Sequence, residues 1–96
     1  MEKIFLDILK PDDWHVHLRE GETLSSVLPF TYENFRSALI MPNLDTPITN
    51  ISLAENYYNE ICKEIPKGTE FTPNMTLYLT NHLSKDEIKK VSTHEH

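Results

Sequence analysis

The sequence predicts an α/β domain built on a parallel β-sheet, because strand-like and helix-like segments alternate along its 96 residues. One of the strand-like segments contains a continuous apolar run, which is typical of a strand with both faces covered. Three parallel strands make a poor closed core, and the last residues contain no evident terminating element. The pattern therefore predicts the beginning of a larger α/β domain.

The first 18 residues of the chain contain two of the predicted strands. Residues 3–8, KIFLDI, alternate loosely and could form a short edge strand. Residues 13–18, DWHVHL, alternate with period 2, which places Trp14, Val16 and Leu18 on one side and His15 and His17 on the other.

Between this strand and the next, the sequence predicts helical structure. Residues 22–30, ETLSSVLPF, are expected to form a short helix interrupted by Pro29, and residues 32–35 could add a further helical turn. Residues 37–41, SALIM, contain the continuous apolar run, and Pro42 ends it.

The clearest predicted helix covers residues 52–65, SLAENYYNEICKEI. Ser52 and Glu55 have the spacing of a capping box at its start, and Pro66 and Gly68 mark its end. Its apolar residues recur at helical spacing: Leu53, Ala54, Tyr57, Tyr58, Ile61, Cys62 and Ile65. Residues 71–80, FTPNMTLYLT, form a further strand-like segment, and a second capped helix begins at Ser84.

Composition and charge exclude several classes of protein. The net charge of −6, with scattered lysines, disfavours binding to nucleic acid or to anionic membranes. The longest purely apolar run is far too short to cross a membrane, and the N-terminus is a poor signal peptide. A single cysteine, Cys62, excludes an internal disulfide framework and fits a reducing compartment. A cytoplasmic location is therefore expected.

The segment PDDWHVHLRE contains the candidate site residues. His15 and His17 point to the same face of a strand, about 6.5–7 Å apart along the chain, so that both imidazoles can bind one ion. Arg19 continues the same alternation, and its guanidinium suits a bidentate contact with a carboxylate. Asn43, just after the apolar run, would lie at the end of a parallel strand, where substrate groups are usually bound.

Each of these residues also has a simpler interpretation. From spacing alone, the histidine pair is as often part of an exposed polar face as a metal site. Arg19 can be a surface charge, and Asn43 can be a turn residue. Other side chains of similar chemistry are assigned no role: Tyr57 and Tyr58 are interpreted as packing residues, Cys62 as an inert thiol, and His94 and His96 as part of a disordered tail.

The combined motifs are more specific than any single one. The stretch KPDDWHVHLREGE closely resembles the first barrel strand and loop of the stand-alone bacterial dihydroorotases, which typically read Pro-Asp-Asp-Trp-His-Leu-His-Leu-Arg-Asp-Gly. VLPFTYENFRSALIMPNLDTPITN resembles the second strand region of that family, and PKGTEFTPNMTLYLTN resembles the third. The resemblance covers the chain from about Lys10 to its end.

This resemblance implies the first three strand–helix units of a (β/α)₈ TIM barrel of the amidohydrolase superfamily, with residues 1–96 as an N-terminal fragment. The family uses a binuclear zinc site to cyclise N-carbamoyl-L-aspartate reversibly to dihydroorotate in pyrimidine synthesis. By resemblance, His15 and His17 bind the more buried zinc, whereas Arg19 and Asn43 hold the substrate carboxylate.

The sequence departs from the family pattern at one position and lacks several groups that the family needs for activity. Glu20 replaces the usual aspartate and keeps its charge. The family also requires a carbamylated lysine that bridges the metals, two further histidines and an aspartate base, and His82, His94 and His96 match none of these. The 96-residue chain is therefore expected to be a truncated fragment and inactive alone.

The hypotheses differ in what the isolated chain should do. A barrel fragment should self-associate or pair with the remainder of the barrel, because its sheet edges are exposed. The alternative is a small non-enzymatic α/β remnant with weak metal or partner binding, which should fold autonomously.

Overall fold

The computed structural model describes residues 3–96 and shows three strand–helix units in succession. The elements are β1 (Asp12–Val16), α1 (Gly21–Tyr32), β2 (Ser37–Ile40), α2 (Ile51–Lys63), β3 (Thr72–Met75) and α3 (Lys85–Thr93). The strands pair in parallel, in the order β1-β2-β3. The predicted α/β class and the parallel sheet are therefore confirmed.

The hydrophobic core is formed mainly by α1, β2 and α2. Its buried members are Leu18, Leu24, Leu28, Ala38, Ile40, Ile48, Ala54, Tyr57 and Ile61. The buried residues of α2 belong to the apolar face that the sequence predicts. By contrast, α3 contributes no buried side chain. Along residues 3–96, no helix combines the length and the apolar character that a bilayer span requires.

Two predictions for the first third of the chain are wrong. Residues 3–8 do not form a strand; they are exposed, with Phe5 84% accessible, and nothing pairs with them within the described chain. Helix α1 is not interrupted at Pro29 but continues through it to Tyr32. A proline inside a helix costs about 3 kcal/mol, whereas Leu24, Leu28 and Thr31 bury the inner face of this helix and offset that cost.

The first strand is shorter and less regular than its sequence pattern predicts. Strand β1 ends at Val16, and its register with β2 shifts between Asp13 and Val16. The shift breaks the strict alternation, so that Trp14 remains 77% exposed while Leu18 is buried.

The C-terminal part of the chain also differs from the prediction. Strand β3 ends at Met75 rather than near Thr80, and the chain then turns away, with the Tyr78 amide donating to the Ile48 carbonyl. The predicted disordered tail is instead placed against the fold. His94 Nε2 lies 2.8 Å from the Glu55 carboxylate, and the His96 ring stacks on Tyr58.

The two predicted helix caps have different outcomes. Ser84 caps α3, accepting a hydrogen bond from the Glu87 amide at 3.1 Å, as predicted. Helix α2 begins earlier than predicted, because Asn50 rather than Ser52 is its cap and accepts from the Leu53 amide at 2.8 Å.

Candidate metal and carboxylate site

The two histidines converge at the end of β1. Their Nε2 atoms are 3.1 Å apart, and both side chains are exposed. Two nitrogens bound to one tetrahedral zinc, each at about 2.0–2.1 Å, are separated by about 3.3 Å. The same distance also fits a hydrogen bond between one protonated and one unprotonated Nε2. The pair therefore has the geometry of two metal ligands without requiring a metal.

The bulge in β1 contributes to this arrangement. The Asp13 carboxylate accepts a hydrogen bond from the His15 amide at 3.1 Å, at the point where the register shifts. Bulges of this kind redirect a side chain relative to a regular strand. Asp13 thus fixes the backbone from which His15 projects, a role that the alternation of the sequence does not indicate.

Within residues 3–96, the histidine pair has no third potential metal ligand beside it. Across residues 3–96, no group of three or more His, Cys, Asp or Glu side chains has an arrangement that could hold a metal ion. A catalytic zinc usually has three protein ligands and a water molecule. His15 and His17 therefore fit zinc as two of its ligands, and the chemistry of a complete site requires further groups.

Arg19 is positioned by a loop and not by a strand. The sequence places it on the alternation of β1, and this is wrong, because the strand ends at Val16. Its backbone has φ of +59°, the left-handed region that residues other than glycine rarely adopt. The geometry of this loop, rather than the strand pleat, therefore directs its side chain.

Asn43 lies in the loop after β2, and the structure brings it together with Arg19. The Met41 amide donates to the Val16 carbonyl at 2.9 Å, so the two loops leave the sheet side by side. Arg19 and Asn43 line one cavity of about 290 Å³. The remaining lining residues are Glu20, Thr23, Leu44 and Asp45.

The charges around this cavity limit what it can bind. The lining contains one guanidinium, that of Arg19, and two carboxylates, those of Glu20 and Asp45, so its net charge is −1. An anionic ligand would need direct contact with Arg19 to overcome the nearby carboxylates. The amide of Asn43 adds a neutral donor on the same wall.

The sequence does not predict the contacts that two other residues make with the loop around Arg19. The buried hydroxyl of Tyr57 donates to the Arg19 carbonyl at 2.5 Å, and Glu60 accepts from the Gly21 amide at 3.2 Å. The sequence identifies Tyr57 only as a packing residue. The sequence offers one indication of this contact: Tyr57 places a hydroxyl on the buried face of α2, and buried tyrosine hydroxyls usually have a hydrogen-bond partner.

Comparison with known proteins gives a consistent result. No family model matches the chain. It is 52% identical over 85 residues to a dihydroorotase of Yersinia enterocolitica and 50% identical over 84 residues to a mitochondrial dihydroorotase of Oryza sativa. These alignments include 88% of this chain but only 24% and 21% of the two relatives.

Solved structures agree with the sequence relatives. A dihydroorotase of Campylobacter jejuni matches with a TM-score of 0.79 and 33% identity, over 88% of this chain and 25% of its own length. A dihydroorotase of Saccharomyces cerevisiae, in complex with 5-fluoroorotic acid, matches with a TM-score of 0.76 and 34% identity. This second match covers 86% of the present chain and 22% of the Saccharomyces cerevisiae chain. Over most of its length, the chain is therefore a homologue of dihydroorotases and corresponds to about a quarter of one.

Proposed function

We propose that this chain supplies one part of a dihydroorotase active site, for the reversible cyclisation of N-carbamoyl-L-aspartate to dihydroorotate. The observation that supports this proposal most directly is the convergence of His15 and His17 to an Nε2 separation of 3.1 Å at the end of β1. In this proposal both imidazoles hold a zinc ion. A zinc pair would supply Lewis acidity and an activated water for cleavage of the amide bond.

The chain's other contribution is to hold the substrate. Arg19 would bind a substrate carboxylate through two guanidinium N–H groups, and Asn43 would donate from its amide on the same cavity wall. These contacts orient the carboxylate end of the substrate relative to the histidine pair. They provide no general base, so we propose that catalysis depends on residues additional to these 96.

We also propose a cytoplasmic location. The single cysteine, Cys62, is consistent with a reducing compartment, where disulfides are rare.

Zinc titration of the isolated chain tests the ligand assignment. We expect weak binding, because the chain supplies two ligands, and loss of that binding in His15→Ala and in His17→Ala. His82→Ala and His96→Ala are matched controls that should retain it, since both side chains lie outside the pair. Equal zinc content in His15→Ala and the unchanged chain would refute the assignment.

Activity is tested in a chimera, in which this chain replaces the matching segment of the Yersinia enterocolitica dihydroorotase. We expect the chimera to hydrolyse dihydroorotate and the zinc-loaded 96-residue chain to show no hydrolysis. A folded but inactive chimera would contradict the proposed function. Hydrolysis by the chain alone would contradict the dependence on additional residues.

A further inference from the structure

The loop that carries Arg19 has an unfavourable backbone conformation. Arg19 has φ of +59° and Gly21 has φ of +60°, so two left-handed residues lie within three positions. For a residue other than glycine this conformation costs about 1–2 kcal/mol and persists only where the surrounding structure enforces it. The contacts that hold this loop are therefore relevant to the direction of the Arg19 side chain.

Tyr57 provides the first of these contacts. Its hydroxyl donates to the Arg19 carbonyl at 2.5 Å, and the tyrosine is only 3% exposed. Burial, followed by the charges of Glu60 and Glu20, raises the pKa of Tyr57 above its ordinary value of 10.0, although Arg19 opposes this shift. The hydroxyl thus keeps its proton and remains a donor across the physiological pH range.

Glu60 provides the second contact, one helical turn further along α2. Its carboxylate accepts from the Gly21 amide at 3.2 Å. Residues three apart on a helix lie on the same side, so Tyr57 and Glu60 face the loop together. The residue between Arg19 and Gly21 has no regular secondary structure. Helix α2, in contrast, is fixed in place by the burial of Ala54 and Ile61.

We propose that Tyr57 and Glu60 are positioning residues, which hold Arg19 and Gly21 in their left-handed conformations and thereby direct the Arg19 guanidinium into the cavity that it shares with Asn43. This inference rests on the proposed role of Arg19 as the contact for the substrate carboxylate. Neither residue touches the substrate; each acts through the backbone of the loop.

Kinetics of the chimera test the effect on substrate binding. Tyr57→Phe keeps the buried ring and removes the hydroxyl, so KM for dihydroorotate should rise about tenfold while kcat changes less than twofold. Glu60→Ala should act in the same direction, and Glu60→Gln should restore most of the effect because its amide oxygen can still accept from Gly21. Tyr58→Phe is the matched control, expected to leave KM unchanged.

Amide hydrogen exchange of the 96-residue chain tests the structural step without any activity. Exchange at residues 19–21 should accelerate in Tyr57→Phe and Glu60→Ala, whereas exchange in β2 should stay the same. Unchanged exchange in both variants would overturn the inference, as would unchanged KM in Tyr57→Phe when Arg19→Ala raises KM.

Failure of the proposed function gives a different result. If Arg19→Ala leaves KM of an active chimera unchanged, the carboxylate role of Arg19 is wrong, whatever the exchange data show at the loop. If that role is right, Tyr57→Phe should have no further effect on KM in the Arg19→Ala background, because both act through one contact.

Discussion

At the scale of single residues, Arg19 shows a conflict between local backbone preference and the proposed function. Its left-handed backbone is unfavourable for an arginine. Because its side chain is exposed, packing of that side chain does not offset the cost. The guanidinium is the group that the proposed carboxylate site requires. Strain of this kind is most often found at functional sites.

This conflict predicts a separation of stability from binding. Arg19→Gly should stabilise the fold by about 0.5–1 kcal/mol, because relief of the left-handed conformation exceeds the greater entropy that glycine loses on folding. Arg19→Ala removes the same guanidinium but keeps the strain, so its stability should stay close to that of the unchanged chain. Urea denaturation measures both.

Substrate binding should respond differently from stability. In the chimera, Arg19→Gly and Arg19→Ala should weaken dihydroorotate binding to a similar extent, because both lack the guanidinium. Equal stability of the glycine and alanine variants would show that the backbone of residue 19 is not strained.

At the scale of secondary-structure elements, the residue that caps the start of α2 differs from the one that the sequence motif predicts. Ser52 and Glu55 have the spacing of a capping box, but Asn50 accepts the hydrogen bond from the Leu53 amide. Asn50→Ala should therefore destabilise the fold by about 1 kcal/mol. Ser52→Ala should have almost no effect, and denaturation midpoints compare the two; a larger loss for Ser52→Ala would place the cap at Ser52.

The pairing of β1 with β2 includes an ion pair whose contribution depends on pH. The Asp12 carboxylate accepts from Arg36 Nε at 2.9 Å and from Ser37 Oγ at 2.6 Å. These hydrogen bonds, the one from Arg36 first, hold the pKa of the Asp12 carboxyl below its ordinary value of 3.8. A carboxyl with a lowered pKa in the folded state stabilises the fold above its unfolded pKa, and this contribution is lost as pH falls through the lower, folded value.

Asp12→Asn should consequently be less stable than the unchanged chain at neutral pH, and the two should converge as the pH falls below about 4. Urea denaturation at a series of pH values measures this difference. Asp7→Asn, on the exposed N-terminal segment, is the matched control and should show a constant, small difference. A constant difference for Asp12→Asn would mean that the ion pair does not contribute to stability.

At the scale of the whole molecule, the sheet has two edge strands, β1 and β3, within the described residues. Strand β1 bears Trp14, which is 77% exposed, and the apolar segment before it is exposed as well. Exposed edges with apolar side chains favour pairing with another chain. We therefore expect the isolated 96-residue chain to associate as its concentration increases.

Sedimentation velocity over a range of concentrations measures this association. Trp14→Lys should reduce it, because a lysine on an edge strand opposes pairing, whereas Asn59→Lys on the exposed side of α2 should not. A monomer that unfolds cooperatively at all concentrations would favour the alternative of a small independent α/β module.

The sequence by itself determined the order of strands and helices, the apolar face of α2 and the cap at Ser84. These features depend on side-chain periodicity and on contacts within one helical turn, which a local pattern contains. The spacing of two residues predicts that His15 and His17 lie beside one another, but the register shift in β1 also contributes to the arrangement that forms.

Only the tertiary structure decided how the loops are arranged. Tyr57 reaches the carbonyl of Arg19 across 38 residues, and Arg19 shares a cavity with Asn43 from a different loop. Such contacts depend on how α2 docks against the sheet, which no spacing along the chain specifies. The same docking holds Arg19 in a left-handed conformation that its local sequence disfavours. It does so because the buried face of α2 carries Tyr57, whose hydroxyl donates to the Arg19 carbonyl.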